Sequence, residues 1–138
     1  GLHQKAGSRN VLELHGSVLR NACMGCGAPY SVERLLDLRA ANPDGVPRCP
    51  ACGRIVKPEV VLYEEPLDER TLHEAIAAIA QADLLVIAGT SLSVYPAAGL
   101  IDSFQGSRLV IVNRTPTPRD RHADLCIAAN VGDVLDFR

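Results

Sequence analysis

Apolar positions in this chain gather into short continuous runs, with helix-period stretches between them. Val11–Leu14 opens on a β-branched residue and predicts a buried strand ending at His15-Gly16. In "SVERLLDLRAAN", Val32, Leu35, Leu36 and Leu38 recur at helical spacing, with Ser31 placed as N-cap. "EVVLY" (Glu59–Tyr63) predicts a strand, and Asp68 to Gln81 an amphipathic helix. "DLLVIAG" (Asp83–Gly89) is apolar throughout, as a strand covered on both faces of a parallel sheet would be. "PAAGLIDSFQ" predicts a helix with Pro96 near its first turn. "RLVIVN" (Arg108–Asn113) and "DLCIAA" (Asp124–Ala129) predict two more buried strands, and "GDVLDF" the start of a helix.

From Asn21 to about Lys57 the texture changes to prolines, glycines and cysteines, which marks a loop-rich insertion. The alternation outside it predicts an α/β fold built on a doubly wound parallel sheet. The expected organisation is a larger domain from 1–20 and 58–138 and a small domain from 21–57. No G-x-G-x-x-G follows any strand. Either the sheet is not a dinucleotide fold, or its first half lies upstream of Gly1. The sequence opens without methionine, as a trimmed chain or an internal piece of a longer one would.

Composition adds limits. The 138 residues are 47% apolar and 22% charged, which is globular rather than disordered. A net charge of −2 argues against nucleic acid or an anionic membrane as a partner. No apolar run approaches the ~18 residues of a membrane span, and the sequence carries no basic-then-apolar leader.

Four of the five cysteines form two C-x-x-C pairs, Cys23/Cys26 and Cys49/Cys52. Each such turn aims two thiolates at one point, and two turns complete the tetrahedral shell that zinc prefers. The interval between the pairs is longer than the usual ribbon spacing, and the helix after Ser31 accounts for the excess. Four thiolates close the shell, so the predicted zinc is structural and His15 is not needed as a ligand. Thiolate ligands imply a reducing compartment, with cytoplasm as the expected location. Cys126, in an apolar strand, reads as a buried free thiol. His3, His73 and His122 read as solvated.

"AGTSLSVYPAAG" (Ala88–Gly99) ends a buried strand in Gly89-Thr90-Ser91, at the edge where open α/β sheets bind ligands. Its small hydroxylated residues could hold a phosphate or ribose, or form a plain β–α turn. Asn113 and Gly132-Asp133-Val134 sit at comparable strand ends.

"AGSRNVLELHGS", the two C-x-x-C pairs, "KPEVVLYEE", "AGTSLSVYPAAGL", "IVNRTPTPRD" and "GDV", in this order, resemble the sirtuins, NAD-dependent protein-lysine deacylases. The resemblance runs over essentially the whole chain. It implies a Rossmann-type NAD-binding domain carrying an inserted four-cysteine zinc-ribbon module, with an acyl-lysine peptide bound between them. It implies that His15 is the catalytic base: the acyl oxygen attacks the nicotinamide ribose at C1′, nicotinamide leaves, and the histidine accepts a proton from a ribose hydroxyl. Deacylated lysine and O-acyl-ADP-ribose result. An imidazole suits proton transfer near neutral pH.

By the same correspondence Gly89, Thr90 and Ser91 contact the NAD phosphates and ribose, Asn113 the adenosine ribose, and Asp133 and Val134 the adenine. The backbones of Val60, Val61 and Tyr63, and of Ser93, Val94 and Tyr95, clasp the peptide as an added strand. The family commonly has Phe-Gly-Glu where this chain reads Tyr63-Glu64-Glu65. Glu64 therefore adds charge to a peptide-facing loop, and a preference for basic flanking residues is expected. The family's glycine-rich NAD loop and its Gln-Asn-x-Asp stretch are expected upstream of Gly1, which would leave these residues inactive alone. Alternative readings are mono-ADP-ribosyl transfer or removal of a non-acetyl group, and a non-catalytic zinc-ribbon binding module.

Overall fold

The computed structural model describes residues 1–136, so the Phe137 end of the last expected helix lies outside the described residues. The chain divides into two compact units, Gly1–Asp68 and Glu69–Arg138.

The first unit holds a short helix α1 (Leu2–Lys5), strands β1 (Gly16–Cys23) and β2 (Pro29–Tyr30), helix α2 (Val32–Ala40) and strand β3 (Val56–Val60). The strands form an antiparallel sheet in the order β2-β1-β3. Ser31 caps α2 as expected, its hydroxyl accepting from the Arg34 N–H at 3.2 Å, an interaction worth about 1 kcal/mol.

Two expected strands shift. Val11–Leu14 is irregular; the chain turns at 13–16, the Gly16 N–H donating to the Glu13 carbonyl at 2.9 Å, and β1 starts at Gly16. The strand expected at Glu59–Tyr63 runs instead from Val56 to Val60. It stops because the Glu65 carboxylate takes the Leu62 N–H at 2.9 Å and the Leu62 carbonyl accepts the Glu65 N–H, folding 62–65 into a turn. Glu64 lies there at φ +69.

The second unit holds helix α3 (Glu69–Ala80), strands β4 (Leu84–Ala88), β5 (Arg108–Val112) and β6 (Leu125–Ile127), and the short helix α4 (Val131–Val134). The sheet is parallel, in the order β4-β5-β6. "PAAGLIDSFQ" forms a 3-10 helix, Ala97–Ser103, instead of an α-helix. Residues three apart eclipse in a 3-10 helix, so Ala98 and Ile101, the buried pair, share one side.

Leu109, Ile111 and Val112 of central β5 are buried, but β4 alternates, with Leu84 and Val86 exposed. Coverage on both faces therefore holds for β5 better than for β4. Cys126 is exposed, contrary to its expected burial, because β6 is a three-residue edge strand; its thiol donates to the Asp120 carbonyl at 3.6 Å. Among the described residues no helix is long and apolar enough to cross a membrane.

Gly16 is the tightest backbone position of the first sheet. Its φ is +74, and a Cβ there would collide with the Glu59 carbonyl. Gly16→Ala should cost about 2 kcal/mol or more. Gly27→Ala, at φ +72 but in open space, should cost only about 1 kcal/mol. Urea midpoints at unchanged m would show both.

Candidate functional site

The two C-x-x-C segments fold into matching knuckles. In the first, the Gly27 N–H donates to the Cys23 carbonyl at 3.0 Å; in the second, the Gly53 N–H donates to the Cys49 carbonyl at 2.8 Å. Both glycines have positive φ, +72 and +71. A glycine directly after each pair lets the chain turn back around its two sulfurs. The knuckles are joined where the Met24 N–H donates to the Ile55 carbonyl at 2.9 Å, while the Cys49 N–H, donating to the Arg54 carbonyl at 2.7 Å, closes the second knuckle on itself.

The four Sγ atoms lie within 4.8 Å of one another. Cys23 and Cys52 are 3.4 Å apart, and Cys26 and Cys49 are 3.7 Å apart. A tetrahedron of ~2.3 Å zinc–sulfur bonds has edges of about 3.8 Å, so the donor set fits zinc. Cys23 and Cys49 are buried while Cys26 and Cys52 form the rim.

The thiols titrate unequally. The Tyr30 hydroxyl pulls Cys49 down to about 6 against the opposing effect of burial. Cys23 is lowered chiefly by the Cys26 backbone N–H. At Cys52 the Arg54 backbone favours the thiolate, yet the surrounding sulfurs and burial push it up to about 12. Four thiolates cannot share so small a volume without a cation among them.

His15 is exposed at the end of the 13–16 turn, immediately before β1. Its carbonyl accepts the Val61 N–H at 3.0 Å, which ties its backbone to the chain leaving β3. Arg20 adds a side-chain staple, donating to Glu13 at 2.6 Å and to Glu59 at 3.1 Å. Its guanidinium lowers the Glu13 carboxyl. Neither bond was visible as a sequence pattern, because the Glu59 partner depends on the β1–β3 pairing and the Glu13 partner on the turn at 13–16.

Val60 and Val61 are half-buried and Tyr63 is almost fully exposed. Lys57 donates to the Val60 carbonyl at 2.9 Å and pairs with Glu65 at 3.1 Å. Glu65 is lowered first by the Leu62 N–H and then by Lys57. The other histidines, His3, His73 and His122, are exposed as expected.

In the second unit the parallel register aligns Ala88, Val112 and Ile127, so all three strands end at one edge. Gly89 leaves β4 at φ +63, its N–H donating to the Val112 carbonyl at 3.0 Å. A Cβ on Gly89 would touch the Val131 side chain at 3.4 Å, so this strand end faces α4, which carries Asp133 and Val134. The Asn113 N–H donates to the Ile127 carbonyl at 3.1 Å, and its side-chain amide to the Thr115 carbonyl at 2.8 Å.

The loop after Gly89 is pinned by its own hydroxyls: Thr90 accepts the Leu92 N–H at 3.2 Å, and the Ser91 and Ser93 hydroxyls lie 2.6 Å apart. Leu92 takes φ +51. Val94 and Tyr95 follow, both exposed. Gly89 and Asn113 thus leave their strands at one edge of the sheet, with α4 against Gly89 and exposed hydroxyls in the loop that follows. Sequence reasoning missed Arg119, which pairs bidentately with Asp102 at 2.7 and 2.9 Å and ties the 3-10 helix to the loop after β5.

A family profile described as "Sir2 family" matches residues 1–96. The chain is 55% identical over 136 residues to an NAD-dependent protein deacetylase of Clostridium perfringens, covering 98% of this chain and 54% of that protein. It is 53% identical over 135 residues to an NAD-dependent protein deacetylase of Cutibacterium acnes, covering 98% and 53%. Among solved structures it is similar to "Structure of Sir2Tm bound to a propionylated peptide" (39% identity, TM-score 0.90, 96% of this chain and 56% of that one). It is similar also to "Sir2-p53 peptide-NAD+" (39%, TM-score 0.89, 96% and 55%). The chain spans about half the length of the curated relatives it matches.

The sulfur geometry sets the metal behaviour. One equivalent of zinc should bind and release protons, because the thiols must ionise to ligate. Affinity should therefore rise with pH, as the elevated Cys52 requires. Calorimetry in two buffers of different ionisation enthalpy measures the protons released, and Cys49→Ser should no longer retain the metal through gel filtration.

Proposed function

The chain belongs to the Sir2 family, and on that premise we propose that it forms the zinc-bearing, NAD-contacting portion of an NAD-dependent protein-lysine deacylase. The observation that carries this reading is the strand-end edge of the second unit. Gly89 and Asn113 follow strands that end at that edge, and the carboxyl edge of a parallel sheet is where such folds commonly bind nucleotides, which supports the reading. The names of the relatives, NAD-dependent protein deacetylases at 55% and 53% identity, support the same reaction class.

When bound, NAD supplies an electrophilic ribose carbon and a nicotinamide leaving group. The exposed backbone and hydroxyls of Gly89, Thr90 and Ser91 are suited to phosphate and ribose. Asn113 would hold the adenosine ribose, and Asp133 and Val134 would border the adenine. His15 would accept a proton from a ribose hydroxyl; its backbone is pinned by the Val61 N–H, which limits the positions its ring can sample. Cys23, Cys26, Cys49 and Cys52 hold a structural zinc and take no part in the chemistry.

The main chain of Val60, Val61 and Tyr63 in the first unit, and that of Ser93, Val94 and Tyr95 in the second, would each pair with an acyl-lysine peptide as an added strand. Main-chain recognition tolerates many protein sequences, so side chains beside the clasp set preference. Glu65 is neutralised by Lys57, whereas Glu64 projects charge from the turn, favouring peptides with basic flanks. A set of four metal-ligating thiolates supports a reducing compartment, and we infer the cytoplasm.

Measured on the intact protein, nicotinamide release should require both NAD and an acetyl-lysine peptide. His15→Ala should lower kcat/KM by about 10²–10⁴-fold; NAD-independent turnover, or full activity in that variant, would overturn the reading. Glu64→Gln should raise KM for a basic-flanked peptide several-fold at low salt and leave a neutral-flanked peptide unchanged, as peptide titrations at two ionic strengths would show.

A further inference from the structure

Cys49 receives the backbone N–H groups of Ala51 and Cys52, as Cys23 receives those of Gly25 and Cys26, but a side-chain hydroxyl meets it as well. Cys49 is 2% exposed, and the Tyr30 hydroxyl lies 3.1 Å from its Sγ. Cys23, similarly buried, is served by the backbone N–H of Gly25 at 3.3 Å. Cys26 and Cys52 are exposed to water. A zinc ion brings two positive charges against four negative thiolates, so the loaded centre keeps two negative charges. Those on the rim are solvated, but the charge on Cys49 has to be met from within the protein. A metal-bound thiolate has no proton to give, so in this pair the phenol is the donor and sulfur the acceptor.

Tyr30 is built to stay there. It pairs with Asn21 across β1 and β2, and the buried Asn21 amide donates to the Tyr30 carbonyl at 3.3 Å. Its ring packs on the cluster of Cys23, Leu38, Cys49 and Val56. Backbone pairing, a buried amide and apolar packing therefore all direct one hydroxyl at one sulfur.

We propose that Tyr30 is a positioning residue of the metal centre: its hydroxyl donates to the Cys49 thiolate, holding that ligand on the zinc and shielding it from competing ligands and electrophiles. This rests on the zinc assignment above. It is independent of the reaction assigned to His15, and its test uses neither NAD nor peptide.

The zinc-loaded chain is challenged with an excess of a chromogenic chelator, comparing the native chain with Tyr30→Phe, which keeps the ring and removes only the hydroxyl. Zinc transfer should accelerate by about tenfold or more, as expected for loss of a partner that orients a metal ligand. Leu35→Ala, a packing change against the same cluster, should alter the rate less than threefold.

In parallel, limited iodoacetamide treatment with mass spectrometry reads the order of cysteine modification. In the native chain Cys26 and Cys52 should react first and Cys49 last. In Tyr30→Phe, Cys49 should move ahead of Cys23. A release rate within twofold of native, equal acceleration by Leu35→Ala, or an unchanged order of modification would overturn the proposal. Failure of the native chain to bind zinc would overturn the metal assignment, and this inference with it.

Discussion

The first unit depends on four sulfurs meeting at one point. Its buried apolar cluster consists of Cys23, Leu38, Cys49 and Val56, so half of that core consists of metal ligands. A cluster this small cannot offset the conformational entropy of ordering 68 residues. A metal crosslink supplies what apolar burial lacks, because binding free energy that exists only in the folded state is folding free energy. The knuckle glycines, the β1–β2 pairing and the Tyr30 hydroxyl all serve that convergence.

The metal's influence reaches His15 through a short physical path. Cys23 ends β1 and His15 immediately precedes its start. Cys23 pairs with Val56 and Gly16 with Val60, so the register that carries two of the core residues also aligns the strands beside the histidine. The bulge between Ser17 and Asn21 lies between those ends. A structural metal site can thus fix a neighbouring turn without touching a substrate. The second unit uses a different device, a parallel register that brings three strand ends and the loops leaving them to one edge.

Much of this was legible because local chemistry decided it. Ser31 was readable as a cap, since its hydroxyl bonds only three residues ahead. The C-x-x-C-G knuckles were readable because both sulfurs and their turn lie within five residues. The strands at 84–88, 108–112 and 125–127 followed from continuous apolar runs. The misreadings came where a distant or competing partner intervened. Val11–Leu14 has strand composition, but Gly16 bonds back to Glu13 and pairing begins only there. Glu59–Tyr63 lost its second half to the Glu65 carboxylate, and Cys126 was exposed by its place at an edge of the sheet.

By itself, the sequence determined the ligand set, the alternation of strands and helices, and the order of motifs that identifies the family, because each is carried by residue type and short-range spacing. Only the tertiary structure decided that Tyr30 meets Cys49, that Arg20 bridges Glu13 and Glu59, and that Gly89 lies against Val131. These partners stand 19, 7 and 39, and 42 positions apart. Such meetings are set by strand register and sheet order, and register is a property of the assembled hydrogen-bond ladder rather than of any segment read alone.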